Sequence, residues 1–215
     1  GMIAGGNSVV FNPHPLAKGT SAYCIDLINT TIRDVGGPDT LMTAVGSPSM
    51  ESATSLMHHE GINLLVVTGG GGVVQAAMKS GRKCIAAGPG NPPVVVDTTA
   101  DINVAGMGIV RGASFDNNVI CIDEKEVFVV DSVADELVSV MQANGAVKIR
   151  GRQIEQLRNL VLKDGHTVRD RVGRNASTYL DDLGIPYQGD PRLIIAEVDA
   201  SHDFVQHELL MPIIG

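Results

Sequence analysis

Aromatic residues and basic charge are both scarce in this sequence. It has no tryptophan, and phenylalanine and tyrosine together supply 3% of its 215 residues. Lysine and arginine number 16 against 24 acidic residues, which gives a formal net charge of −8. Because sequence-independent binding to nucleic acid or to an anionic membrane requires a basic surface, this balance argues against both partners. Apolar runs stay well short of the roughly 18 residues that cross a bilayer, so we expect no membrane-spanning helix.

Cysteine is also sparse. The sequence has three cysteines, an odd number, and none of them stands in a CxxC spacing. Such a set does not form a disulfide framework, and it lacks the clustered ligands of a zinc site. We therefore expect a reducing environment, a cytoplasmic location and no bound metal.

Short apolar runs alternate with segments of helical periodicity along the chain. This alternation predicts an α/β fold with parallel strands and right-handed crossovers. A glycine- and proline-rich connection near residue 88 predicts a first domain at 1–87 and a second at 88–215. In the first we predict strands at 8–11, 41–45, 63–68 and 83–87 and helices at 16–35, 49–59 and 73–80. In the second we predict strands at 94–97, 126–130 and 192–198, helices at 100–113, 131–143 and 153–163, and helix with loop at 166–183.

Cys121 stands in an unusual setting for a cysteine. Residues 113–126 (ASFDNNVICIDEKE) surround it with carboxamides and acids in the connection between a predicted helix and a predicted strand. A thiol in a polar connection can ionise and attack a carbonyl carbon, whereas a thiol on an apolar element packs as a small hydrophobe. Cys121 is therefore the candidate nucleophile. We expect Cys24, on a helix, and Cys84, on a strand, to pack in the core.

Two segments that follow predicted strands are candidates for contact with a nucleotide. Glycines 69–72 join a strand to a helix, where backbone amides can approach a phosphate at the positive helix end. They do not form a GxGxxG fingerprint, and taken alone they are more typical of a plain tight turn. His14, held between Pro13 and Pro15, either serves a nucleotide or forms a rigid turn.

Five blocks of sequence occur in the order of one known enzyme superfamily. They are AGGNSVVFNPHP (4–15), VVTGG (66–70), GPGNPPVVVD (88–97) with TADI (99–102), GASFDNNVICIDEKEV (112–127) and ELLMP (208–212). Together they resemble the aldehyde dehydrogenase superfamily, and within it the coenzyme A-acylating branch of propanediol and ethanolamine utilisation. The resemblance implies an incomplete Rossmann-type parallel-sheet domain, followed by an α/β catalytic domain that carries the nucleophilic cysteine.

The resemblance also implies a reaction and its participants. Cys121 would add to the carbon of a small aldehyde, a hydride would pass to NAD, and the acyl group of the resulting thioester would pass to coenzyme A. The implied cofactor contacts are Asn12, His14, Thr68, Gly69, Gly70 and Glu208. Asn12 departs from the family pattern, because many members carry there a lysine that contacts the adenosine ribose. A homo-oligomer is expected, and location in a bacterial microcompartment stays open.

Ala87 stands where hydrolytic members of the superfamily place a glutamate that deprotonates the attacking water. Water, with a pKa of about 15.7, needs such a base, whereas a thiol with a pKa of about 8.5 is partly ionised at neutral pH. The methyl group at this position therefore favours transfer to a thiol over hydrolysis.

The resemblance finally implies that the chain is an internal fragment, without the asparagine that helps hold the substrate oxygen. We expect it to have little or no dehydrogenase activity and to self-associate through exposed strand edges. Two alternatives remain. One is an enzyme like glutamyl-phosphate reductase or a semialdehyde dehydrogenase, which the Pro-His-Pro and Asn-Pro-Pro blocks disfavour. The other is a non-catalytic binding or assembly module, which the retention of Cys121 disfavours for the parent protein.

Overall fold

The computed structural model describes residues 1–215, which form two compact units at Gly1–Gly88 and Pro89–Gly215. The division falls one residue after the boundary that the sequence predicts. None of the helices combines the length and apolar character that crossing a membrane requires.

The first unit alternates strands with helices, as predicted. Its strands pair in two parallel couples, β1 with β2 and β3 with β4. A 3-10 turn at Pro15–Ala17 leads into the first helix. The elements are β1 (Val9–Phe11), α1 (Lys18–Asp34), β2 (Met42–Ala44), α2 (Met50–His58), β3 (Leu65–Thr68), α3 (Gly71–Lys79) and β4 (Cys84–Ala87).

Two of the three cysteines lie in this unit, and only one of them packs as expected. Cys84 contacts the small core of Met57, Leu65 and Ala77. Cys24 is exposed, so the expectation that it packs in the core is wrong. The reason is the rotation of the helix: α1 buries Ile25 and Asn29, four residues apart on one face, and Cys24 lies about 100° away from that face.

The second unit is larger and is also built on parallel strands. β5 pairs with β6, and β10 lies between β7 and β11. The backbone N–H of Val127 on β6 donates to the carbonyl of Gly215, just beyond β11, at 3.0 Å. The elements are β5 (Pro93–Val96), α4 (Ile102–Ala113), β6 (Glu126–Val129), α5 (Asp131–Ala143), β7 (Ala146–Ile149), α6 (Arg152–Val161), β8 (Leu162–Lys163), β9 (His166–Thr167), α7 (Ala176–Asp182), β10 (Leu193–Ala196), α8 (Asp203–Gln206) and β11 (Ile213–Ile214).

The core of the second unit is built around β10, the central strand of its three-stranded sheet. All four residues of β10 are buried, as a strand with both faces covered requires. One core cluster includes Leu157 of α6 and Tyr179 of α7, and another includes Ile109 of α4 and Leu137 of α5. The sequence did not predict β7, because its four residues include Lys148 and give no continuous apolar run.

Gly106 and Gly108 offer a matched pair of substitutions in α4. A Cβ on Gly106 would lie 2.7 Å from Cγ1 of Val140 on α5, whereas a Cβ on Gly108 would meet nothing within 4 Å. We predict that Gly106→Ala lowers the free energy of unfolding by about 1–3 kcal/mol through overpacking. Gly108→Ala should raise it by about 0.5–1 kcal/mol through helix propensity. Urea unfolding followed by circular dichroism measures both, and equal effects would contradict this packing of α4 on α5.

Candidate active site

The loop between α4 and β6 carries Cys121 in an unusual backbone conformation. Three consecutive residues, Asp116, Asn117 and Asn118, have positive φ angles of 44°, 54° and 61°. Asparagine and aspartate visit this left-handed region more readily than other residues with a side chain, yet it still costs on the order of 1 kcal/mol per residue. Cys121 itself is partly exposed in the turn that follows.

The buried side chain of Asn118 joins the two ends of this loop by hydrogen bonds. Its side chain is 1% exposed, and its Nδ2 donates to the carbonyls of Ala113 at 2.8 Å and Glu124 at 2.9 Å. Its Oδ1 accepts from the ammonium of Lys125. One carboxamide therefore ties the end of α4 to the residues that begin β6, and Cys121 lies in the segment between them. A carboxamide has the two donors and the acceptor that this closure requires.

Asn117 anchors the same turn to a second part of the unit. Its Nδ2 donates to the carbonyl of Gly173 at 3.0 Å and to Oδ1 of Asn175 at 2.9 Å. Asn175 is the residue that precedes α7. The start of α7 thus helps to fix the turn before the cysteine.

Lys125 is the most buried charged residue of the segment around Cys121. It is 3% exposed, and its Nζ also donates to the carbonyl of Ile120 at 3.1 Å. Burial lowers the pKa of this ammonium, while the neighbouring Glu208, Asp123, Cys121 and Glu124 act in the opposite direction. The loop that carries Cys121 therefore contains a buried ammonium group on which several acidic side chains act electrostatically.

Gly90 lies beside both the side chain of Glu208 and the backbone of Cys121. The backbone N–H of Gly90 donates to Oε1 of Glu208 at 3.1 Å. A Cβ on Gly90 would lie 2.8 Å from the carbonyl oxygen of Cys121, so only glycine allows the two chain segments to approach this closely. The structure therefore brings together two of the residues that the sequence nominates, although they are far apart in sequence.

Further contacts set the position of Glu208. Nδ2 of Asn91 donates to the carbonyl of Val205 in α8 at 2.6 Å, which ties the Gly90 segment to that helix. Oγ1 of Thr167 donates to the backbone carbonyl of Glu208 at 3.0 Å. Glu208 is therefore held through its backbone carbonyl, and its side chain is held by the amide of Gly90. Its carboxylate is thus fixed more firmly than that of a solvent-exposed acid without such contacts.

Asn12 and His14 lie in the first unit, just after β1. Nδ2 of Asn12 donates to the carbonyl of Ser49 at 3.3 Å, and its Oδ1 accepts from Oγ of Ser52 at 2.6 Å. Ser49 and Ser52 also form the capping box of α2, so Asn12 joins the end of β1 to the start of that helix. His14 is exposed, and its Nδ1 accepts from the N–H of Leu16, as expected of a structural turn that leaves Nε2 free.

Thr68, Gly69 and Gly70 form the turn between β3 and α3. A Cβ on Gly69 would lie 2.8 Å from Cγ1 of Val73, so the turn passes tightly against its own helix. Gly70 precedes α3 without a capping side chain, and the space beside Gly70, Gly71 and Gly72 is open. The first amides of a helix have no partner within it, so these backbone N–H groups suit a pyrophosphate.

The pattern of the sequence did not single out Lys125 or Gly90. Lys125 lies in a run of charged residues, Asp123–Glu126, that is typical of a solvated surface, yet three of the four are buried. Gly90 lies in a glycine- and proline-rich stretch that predicts only a connection. The Gly90 contact has no local pattern because its partner, Glu208, lies 118 residues away in sequence. The burial of Lys125 depends on how its own loop folds back onto Asn118, which the sequence pattern does not indicate.

The site offers a partly exposed thiol, a buried cation and a fixed carboxylate. Such an arrangement can support attack of a thiolate on a carbonyl carbon. No three histidine, cysteine, aspartate or glutamate side chains come together in a way that would hold a metal ion.

Comparisons with known proteins bear on this arrangement. The model of the Aldehyde dehydrogenase family matches residues 1–155. The chain is 48% identical over 220 residues to acetaldehyde dehydrogenase (acetylating) EutE of Salmonella typhimurium, and the match covers 99% of this chain and 47% of the relative. The chain thus spans about half the length of the curated relatives that it matches.

Two solved structures extend the likeness. A propionaldehyde dehydrogenase from the Clostridium phytofermentans fucose utilisation bacterial microcompartment is 45% identical, with a TM-score of 0.94, over 100% of this chain and 49% of that one. The Rhodopseudomonas palustris propionaldehyde dehydrogenase, with bound CoA and an acylated cysteine, is 43% identical, with a TM-score of 0.92, over 99% and 49%. The α/β fold that the sequence predicts is thereby confirmed.

The substitution Gly90→Ala tests the contact with the cysteine loop. The added methyl would meet the Cys121 carbonyl, which cannot rotate away as a side chain can, so we predict a loss of about 1–3 kcal/mol of stability. We also expect a several-fold change in the rate at which iodoacetamide labels Cys121. Gly88→Ala is the matched control, because its nearest neighbouring atom would lie 4.0 Å away.

Peptide mapping gives the rate for each thiol separately. Trypsin places Cys24, Cys84 and Cys121 in different peptides, 19–33, 84–111 and 112–125. An unchanged Cys121 rate in Gly90→Ala would contradict the close approach of the two segments.

Proposed function

Because the chain belongs to the aldehyde dehydrogenase family, we propose that it supplies the nucleophile and part of the cofactor site of an enzyme that oxidises a short aldehyde to an acyl-coenzyme A. The observation that carries the proposal is the setting of Cys121, a partly exposed thiol on a loop fixed by Asn118 and Gly90. The likeness to acylating relatives supports the same reaction.

Cys121 forms and breaks the covalent bonds of this reaction. Its thiolate adds to the aldehyde carbon, and the resulting alkoxide takes up a proton to give the thiohemiacetal. The thiohemiacetal then loses a hydride from carbon and the proton of its hydroxyl group to become a thioester. NAD, when bound, accepts that hydride. The sulfur of coenzyme A then attacks the thioester carbon, and the Cys121 thiolate leaves as the acyl-coenzyme A forms.

The cofactor contacts implied by the resemblance are proposed for each unit by itself. Thr68, Gly69 and Gly70 would line the pyrophosphate beside the open amides at the start of α3, which agrees with the absence of a capping side chain there. Asn12 and the free Nε2 of His14 would serve the adenosine end, and Glu208 the nicotinamide ribose. The hydrogen bond from the Gly90 amide supports this role for Glu208, because it fixes the carboxylate in one orientation.

Coenzyme A is proposed as the acyl acceptor because no base for water stands at Ala87. The backbone carbonyl of Ala87 accepts the N–H of Gly69 at 3.1 Å, and its side chain is a methyl group with no proton-accepting atom. A thiol needs less help than water, since it is partly ionised at neutral pH.

We further propose a cytoplasmic protein that self-associates and that can reside in a bacterial microcompartment. The source of the Clostridium phytofermentans relative supports the microcompartment. Self-association is supported by Val95 and Phe128, which are paired in register on β5 and β6 with 75% and 44% of their surfaces exposed.

Acyl transfer to Cys121 can be tested on this chain without any nucleotide. We predict that S-propionyl-N-acetylcysteamine, a small thioester, propionylates Cys121 several-fold faster than Cys24, although Cys24 is the more exposed thiol. Mass spectrometry of the tryptic peptides measures both rates, and Cys121→Ser should remove the acyl group from its peptide. Faster acylation of Cys24 than of Cys121 would contradict the proposal.

The fate of that thioester tests the choice of acceptor. We predict that added coenzyme A or a simple thiol discharges propionyl-Cys121 at least about a hundredfold faster than buffer does, because no base activates water. Ala87→Glu should raise the rate in buffer, with Ala87→Gln as the matched control that adds the same bulk without a base. Rapid hydrolysis in the unmodified chain would refute the argument from Ala87.

A further inference from the structure

Lys125 is a buried lysine whose hydrogen-bond partners are all neutral. Lysine is rarely this buried unless it is paired, and Lys125 forms no ion pair within 4.0 Å. Its Nζ is held by Oδ1 of Asn118 and by the carbonyls of Asn118 and Ile120. These three oxygens replace the hydrogen bonds that the ammonium would make to water. They carry no net charge, so the positive charge of the ammonium still interacts electrostatically with groups farther away.

Those more distant groups include the candidate nucleophile. Asp123 and Glu124 stand on the same loop as Cys121 and Lys125, and Glu208 accepts from the amide of Gly90, which packs against the Cys121 carbonyl. The charges of these three acids and of Cys121 all act to raise the pKa of the Lys125 ammonium. The hydrogen bond at 3.1 Å to the Ile120 carbonyl reaches the peptide group that joins Ile120 to Cys121. Lys125 thus acts on the cysteine in two ways, through the backbone and through the field of its charge.

We propose that Lys125 is a positioning residue for Cys121: it fixes the Ile120–Cys121 peptide and offsets the negative charge of Asp123, Glu124 and Glu208 around the thiol. The inference rests on the proposed role of Cys121 as the nucleophile. Without the ammonium, three carboxylates would repel both the Cys121 thiolate and an anionic thiol that approaches its acyl group. The lysine keeps the loop closed and accessible to anions at the same time.

The charge selectivity of alkylation measures this effect directly. Iodoacetate and iodoacetamide react with a thiolate in the same way, but only iodoacetate is an anion. We predict that the ratio of their rates at Cys121 falls about 3- to 10-fold in Lys125→Gln and Lys125→Met, as expected for removal of one charge near the reacting sulfur. A loop that is merely loosened would change both rates together and leave the ratio unchanged.

Two variants and one control separate charge from fold. Lys125→Gln keeps a donor for Asn118, whereas Lys125→Met keeps only the apolar stem. Lys148→Met is the matched control, because Lys148 is also largely buried but pairs with Glu197. The ratio at Cys121 in this control should stay within experimental error of the parent chain.

Variants at the acids test the same proposal if the lysine variants fail to fold. Asp123→Asn and Glu124→Gln each remove one negative charge, so each should raise the iodoacetate-to-iodoacetamide ratio at Cys121. The proposal is overturned if folded Lys125 variants keep the parent ratio, or if neither acid variant raises it. Because the assay uses no aldehyde, NAD or coenzyme A, a failure of acylation at Cys121 would count against the proposed function alone.

Discussion

The hydrogen bonds of the Asn118 carboxamide are the interaction on which the candidate site depends. They close the loop between Ala113, at the end of α4, and Glu124, just before β6. Closure over so few residues forces the chain through left-handed conformations at Asp116–Asn118. Strain of this kind persists only where surrounding contacts overdetermine it. Here the buried carboxamide and the Lys125 ammonium do so, and the backbone of Cys121 is held in place as a consequence.

The same loop also explains why a glycine must stand at position 90. A fixed loop leaves its carbonyl groups in fixed places, and the carbonyl oxygen of Cys121 lies 2.8 Å from where the Cβ of any other residue at position 90 would be. With no side chain in the way, the Gly90 amide is free to donate to Glu208. The placement of the carboxylate is therefore linked through Gly90 to the placement of the cysteine, although Gly90 and Glu208 are 118 residues apart in sequence.

Sequence reasoning predicted the order of elements well, because periodicity reports local burial. It predicted that the strands of the first unit are parallel, without predicting which of them pair, and it predicted most helices of the second. It missed β7, which lacks an apolar run, and it wrongly placed Cys24 in the core, because the pattern indicates a helix without indicating which face is covered. The cofactor contacts stay predictions that derive from the family resemblance, at Asn12, His14, Thr68, Gly69, Gly70 and Glu208.

The candidate site was predictable only in part, for a physical reason. Cys121 can be recognised as a candidate nucleophile because the polar residues around it are its neighbours in sequence. Lys125 cannot be recognised in this way, because a lysine among acids is normally solvated, and its burial depends on Asn118 folding back over it. Burial with neutral partners costs stability that an exposed lysine would not cost. A lysine buried at this cost beside the candidate nucleophile carries a charge that water screens weakly, which is the property that the proposed attack by an anionic acyl acceptor would need.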